Sequence, residues 1–157
     1  MADIIDDGMT KVSWVTTISS TAAPTTSELN AGVALESFIT PDGLSIEFGI
    51  DSVDSTALSS TFGAELPGRL NVSIEVTMKD QGRSAAPWST FASKPEGYLV
   101  VRRGVAVATA WTSAQKIEVY PAQAGQRRPV APAANEVSKF TVAMMATSAP
   151  VMTAAVA

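Results

Sequence analysis

Residues 70–79 read LNVSIEVTMK, and their strict alternation decides the fold class. Leu70, Val72, Ile74, Val76 and Met78 fall on one side of an extended chain, and Asn71, Ser73, Glu75, Thr77 and Lys79 on the other. A strand with one dry face and one wet face belongs to an antiparallel sheet. LSIEFGI, residues 44–50, repeats the pattern, with Leu44, Ile46, Phe48 and Ile50 inward and Ser45, Glu47 and Gly49 outward. KVSWVTTI, residues 11–18, places Val12, Trp14 and Ile18 on one side. GYLVVRRGVAVATAW, residues 97–111, reads as a hairpin that turns at Arg102, Arg103 and Gly104. Its second arm sets Val105, Val107 and Trp111 against Ala106, Ala108 and Ala110, a small-residue face that leaves room for a close neighbour. KIEVYP (116–121) and EVSKFTVAMM (136–145) add two strands, with Pro121, Pro129 and Pro132 marking the link as a loop.

Helix signals are few. In APTTSELNAGVAL, residues 23–35, Thr25 and Glu28 have the spacing of a capping box, and Gly32 is placed to end the turn in a left-handed conformation. So short a helix depends on its neighbours, which makes it an elbow between strands. APWSTFASKP, residues 86–95, predicts a second one, opened by Pro87, with Trp88 and Phe91 on one face. Residues 52–68 have weak periodicity between two strong strands, and a loop of that length is usually functional or ordered by a partner.

The chain of 157 residues suits one domain (1–157), with an arm at 1–10 and another at 149–157. Charged residues make up 17%, low against a typical quarter, and such a surface suits packing against copies of itself. With no Cys and no His, disulfides, thiolate nucleophiles, most zinc sites and an imidazole base are excluded. Asp51 and Asp54 lie three apart at a strand end, where Asp forms turns, so they do not read as a glycosidase pair. No catalytic, cofactor or metal residue is expected. The uncharged end, FTVAMMATSAPVMTAAVA (140–157), is rich in small residues and broken by Pro150, which fits a strand and an arm better than a membrane span. MADIIDDGMT has no basic leader, consistent with a cytoplasmic product.

Net charge is −4, which disfavours a grip on nucleic-acid phosphates. Its distribution is uneven: residues 1–68 carry −9 and residues 69–157 carry +5. One molecule therefore offers surfaces of opposite sign.

The order and spacing of KVSWVTTI, APTTSELNAGVALESFIT, GYLVVRRG, VYP, ANEVSKFTV and APVMTAAVA resemble phage major tail proteins, the tail tube subunits of long flexible-tailed phages, particularly of actinobacterial hosts. The resemblance runs over nearly the whole chain and is weakest at 52–68. It implies a mainly β fold of two packed antiparallel sheets, a sandwich or partial barrel with one or two short helices and extended terminal arms. It further implies rings, usually of six, stacked into a tube that conducts the genome. Tape-measure, tail-terminator and distal tail proteins are the implied partners, with assembly in the host cytoplasm and no membrane insertion.

On that reading the wet strand faces offer Ser45, Glu47, Asn71, Ser73, Glu75 and Thr77 to the channel, where acidic or neutral groups let DNA pass without being held. Head-to-tail stacking needs two different surfaces on one subunit. The acidic Asp3, Asp6 and Asp7 and the basic Arg83, Arg102, Arg103, Arg127 and Arg128 are the expected contacts between copies. The rival reading is a β-sandwich decoration, adhesion or receptor-binding module, which clustered exposed aromatics on loops would favour. Trp14 and Trp111 fall on strand patterns and Trp88 on a helical one, so most of them read as core.

Overall fold

The computed structural model describes residues 2–157. Eight strands and one short helix follow one another as β1 (Thr10–Val15), α1 (Thr26–Asn30), β2 (Val33–Ala34), β3 (Ile39–Asp54), β4 (Glu65–Lys79), β5 (Glu96–Arg103), β6 (Lys116–Pro129), β7 (Lys139–Ala146) and β8 (Val151–Ala155). All pairings are antiparallel, and they join the strands into one open network, β2-β1-β5-β6-β7-β4-β3, with β8 added to β6. The fold is mainly β, as the alternation requires.

The network is folded over on itself at β6. The first half of β6 pairs with β5 and β8, and its second half with β7, with a register shift between Ala124 and Arg127. The main core lies inside this fold, where Val12 and Trp14 of β1, Leu99 and Val101 of β5 and Tyr120 of β6 meet Ile74, Val76 and Met78 of β4 and Phe140 and Val142 of β7. A second core lies behind β5 and β6, where Val15, Val100, Ile117 and Val119 pack with Leu29 of α1, Trp111, and Ala154 and Val156 at the chain end. Strands β1, β5 and β6 thus bury both faces.

Several local expectations change. Pro121 lies within β6, at the point where that strand's outer partner switches from β8 to β7. Its missing N–H therefore falls where no ladder bond is due, while its carbonyl accepts from Thr147 N at 3.0 Å. Residues 105–111 are not a strand but part of an irregular loop between β5 and β6. The 86–95 segment is a run of turns in place of a helix, with bonds such as Thr90 N to Pro87 O and Lys94 N to Phe91 O. Its aromatic residues still plug the core: Phe91 meets Trp14 edge-on at 5.4 Å, and Trp88 meets Phe140 at 5.0 Å. Such pairs add about 0.5–1.5 kcal/mol each beyond the area they bury. Residues 149–157 carry β8 in place of an extended arm, since Ala154 and Val156 are buried and Ala157 N bonds Pro24 O.

The capping box is formed. Thr25 Oγ1 accepts from Glu28 N at 3.2 Å, and Glu28 Oε2 accepts from Thr25 N at 2.9 Å. The other Glu28 oxygen accepts from Ser19 Oγ at 2.6 Å and Ser19 N at 2.9 Å, which ties the helix to the loop before it. The helix ends on Ala31 in the right-handed region, so Gly32 has a different task from the left-handed turn expected of it. A Cβ there would lie 2.6 Å from Ser13 Oγ and 2.8 Å from Trp14 O, and only glycine lets the chain pass β1 so closely. The Ser19 hydroxyl, then the Thr25 and Ser19 amides, hold the Glu28 carboxyl down at about 2, from an ordinary 4.5. A carboxyl depressed by folding stabilises the fold above its unfolded pKa and loses that contribution as pH falls through the folded one. Urea midpoints of the wild type and Glu28→Gln should therefore differ at pH 7 and converge between pH 4.5 and about 2.

Candidate assembly surface

The segment 52–68 is not simply a loop. Strands β3 and β4 continue through it in register, Val53 opposite Leu66 and Asp54 opposite Glu65, leaving a tip of residues 55–64. β7 accompanies β4 only as far as Ser73, so the outer part of the β3–β4 hairpin leaves the body as an arm. The apolar face expected to be buried is dry only near the body. Phe48, Ile50 and Leu70 are 56%, 62% and 76% exposed, and at the tip Leu58 and Phe62 are 106% and 80% exposed. β3 has β4 on one side and ends the sheet on the other. Exposed apolar groups beside an unpaired strand edge mark an interaction surface.

The tip is organised by its own hydroxyls. Thr56 Oγ1 accepts from Ala64 N at 2.9 Å, Ser55 N bonds Ala64 O at 2.9 Å, and Ser60 Oγ bonds Phe62 O at 2.8 Å. Asp54 accepts from Thr56 N at 2.8 Å, and the Thr56 hydroxyl and amide lower its pKa. Asp51 accepts from Asn71 Nδ2 at 3.2 Å. The two aspartates thus have separate structural tasks.

The hairpin's other face gathers the six channel candidates. Ser45 lies opposite Glu75, Glu47 opposite Ser73 and Gly49 opposite Asn71. Ser45, Glu47, Asn71, Ser73 and Glu75 are exposed and Thr77 is half-buried, its hydroxyl 3.0 Å from that of Thr141. Arg128 reaches over from β6 to within 3.7 Å of Glu75.

The arginines expected at contacts divide. Arg102 is withdrawn from the surface because it is fully buried. Its guanidinium donates to the carbonyls of Ala106 and Thr109 at 2.9 Å, Ala110 at 3.2 Å, and Gln115 Oε1 at 3.0 Å. This explains the alanine-rich loop: the carbonyls turn inward to the cation and the small side chains point out. The Trp111 ring has Arg102 at 5.0 Å and Lys11 at 5.2 Å from its centroid. Burial lowers the Arg102 pKa from its ordinary value, and the charge of Glu36 offsets part of that shift. Arg103 is committed to Glu118 at 3.0 Å, whose other oxygen accepts from Tyr120 OH at 2.7 Å. Burial, then Glu118, raises the Tyr120 pKa.

Arg83 and Arg127 both stack on Trp88, at 3.9 and 4.2 Å from the ring centroid, and Arg127 also donates to Trp88 O at 2.7 Å. Arg83, Arg128, Asp3, Asp6 and Asp7 are exposed. Trp14 and Trp111 are core and Trp88 is partly covered, although Trp111 lies on a loop and Trp88 on a run of turns rather than on the strand and helix expected of them.

A family model described as phage tail tube protein matches residues 1–157. This chain belongs to that family. No curated protein matches it. Among solved structures, the tube protein is similar to a sheath/tube terminator of an extracellular contractile injection system in the extended state. That likeness has a TM-score of 0.64 at 12% identity, covering 98% of this chain and 99% of the other. It is also similar to a chain from the tail of an empty gene transfer agent particle, with a TM-score of 0.51 at 18% identity over 94% and 96%. At these identities the likeness is one of fold. Family membership makes the chain a structural protein of phage or phage-like tails and enzymatic activity unexpected.

The Arg102 cage is the part of this tube protein that sequence reading missed. The uncharged run at 104–115 after a strand-end arginine is the signal that was present. Replacement Arg102→Met removes the one donor group that the carbonyls of Ala106, Thr109 and Ala110 and Gln115 Oε1 share, and leaves them to Thr109 N, Lys11 Nζ, Gln115 Nε2 and Thr112 N. Chemical denaturation should show a loss of about 2–4 kcal/mol, with loop 104–115 exchanging its amides faster.

Proposed function

We propose that the tube protein closes into rings, six copies to a ring, and that the rings stack head to tail as the tube of a long flexible tail through which genome DNA is ejected. The observation that carries this reading is the β3–β4 arm, whose apolar face continues the core out into water beside an open strand edge. Copies of one chain relieve both defects together, since ring closure pairs edges and covers the arm. The tail described with C6 symmetry supports six copies. The hydroxyl and carboxylate face of the hairpin (Ser45, Glu47, Asn71, Ser73, Glu75 and Thr77) lines the bore, where Glu47 and Glu75 disfavour lasting contact with phosphates. A tape-measure protein, a tail terminator and a distal tail protein complete the tail, assembled in the host cytoplasm.

Negative-stain electron microscopy of the purified full-length chain at rising concentration tests the assembly, and rings and tubes are expected. Replacing both Leu58 and Phe62 with Ser removes apolar burial of about 1.5–3 kcal/mol each at an interface. The concentration needed for tubes should rise at least about a hundredfold. Thermal unfolding of the monomer should hardly change, because both side chains are exposed there. A wild-type chain that stays monomeric at every concentration and salt would sink the reading.

A further inference from the structure

The acidic N-terminal segment and the corner formed by Arg83, Trp88, Arg127 and Arg128 are complementary and belong to different parts of the surface chemistry. Asp3, Asp6 and Asp7 form no ion pair with a lysine or arginine of the chain among the described residues. Ile4 and Ile5 between them are 73% and 72% exposed. The segment lies against the body near its end, through Val107 N to Gly8 O at 2.9 Å and a cavity that Asp6 and Asp7 line with Arg103. It thus presents three carboxylates and two large apolar groups to solvent.

The corner presents the converse. Arg127 is held by its stack on Trp88 and its bond to Trp88 O, and no carboxylate compensates it among the described residues. Arg83 has only a long contact to Asp80 at 3.6 Å, and Arg128 one to Glu75 at 3.7 Å. The indole fixes two guanidiniums before any partner arrives, so little side-chain freedom remains to be lost on binding. Val130 and Val137, 39% and 60% exposed, follow in the adjoining β6–β7 connection.

We infer that this corner is the docking site for residues 2–7 of a second copy of the chain. The aspartates meet Arg83, Arg127 and Arg128, and Ile4 and Ile5 cover Val130 and Val137. This deepens the tube reading and rests on it, because a contact between two unlike surfaces of one chain propagates head to tail.

The chain has no cysteine, which allows a clean test. Ile5→Cys and Ser84→Cys, made as separate full-length variants and mixed under assembly conditions, should give a mixed disulfide on mild oxidation. It should appear only when both are present and only at concentrations where tubes form. In a second arm, Asp3→Lys/Asp6→Lys/Asp7→Lys lies wholly on the exposed segment and leaves the fold intact. It should raise the concentration for tube formation by about tenfold. Adding Arg83→Glu and Arg128→Glu to the same chain should recover most of the loss. Raised salt should weaken the wild type and spare the lysine variant. Tubes that form equally well from the lysine variant and give no mixed disulfide overturn the contact while leaving the tube reading in place. A wild type that never assembles overturns both.

Discussion

Strand β6 holds the fold together because it is a member of both layers. It hydrogen-bonds β5 along one side, and on the other it bonds β8 first and β7 afterwards. The change of partner needs a place where a donor can be missing and a place where the strand can bend. Pro121 sits at the first and the shift between Ala124 and Arg127 supplies the second. Gly125 lies within that shift, where a Cβ would stand 2.7 Å from Ala143 O, so β7 can approach closely only because glycine is there. Once β6 is bent, β4 and β7 are carried over β1 and β5, and the main core is enclosed between them.

That geometry also decides where the core stops. β7 accompanies β4 for seven paired positions, Ser73 to Lys79, and the hairpin goes on without it. The alternation of residues 44–50 and 70–79 was therefore right about which side chains share a face and silent about which of them have anything to face. Period-2 patterning reports the local geometry of a strand. Burial depends on a neighbouring strand far away in sequence, so Phe48 and Leu70 look like core residues and are surface ones.

The same distinction separates what was legible from what was not. The capping box at Thr25 and Glu28 involves groups three residues apart and was readable in full. The faces of the channel candidates were readable too, and the register brings them together on one side of the hairpin. Pro121 misled, because a proline excludes a paired position on one side and the sequence does not say that the position is vacant. Val105–Trp111 misled for a related reason: the alternation is present, but the carbonyls bond the guanidinium of Arg102 instead of another strand. A buried cation reached by folding a loop over it leaves no periodic trace.

An exposed apolar arm beside an open edge invites wrong partners as well as the right one, and β3 is written against them. Pro41 removes a donor and falls, with Asp42 and Gly43, in the gap of the ladder between Ile39 and Leu44. A second shift between Ile50 and Ser52 interrupts the register further out, and Asp51 and Asp54 put charge on the arm. An unrelated flat strand meets at most the short regular stretch from Leu44 to Ile50 before it encounters an irregularity. Low surface charge does little to oppose association, and the bulges limit which strands can pair with the edge. The arm can therefore remain apolar without becoming a general template for aggregation.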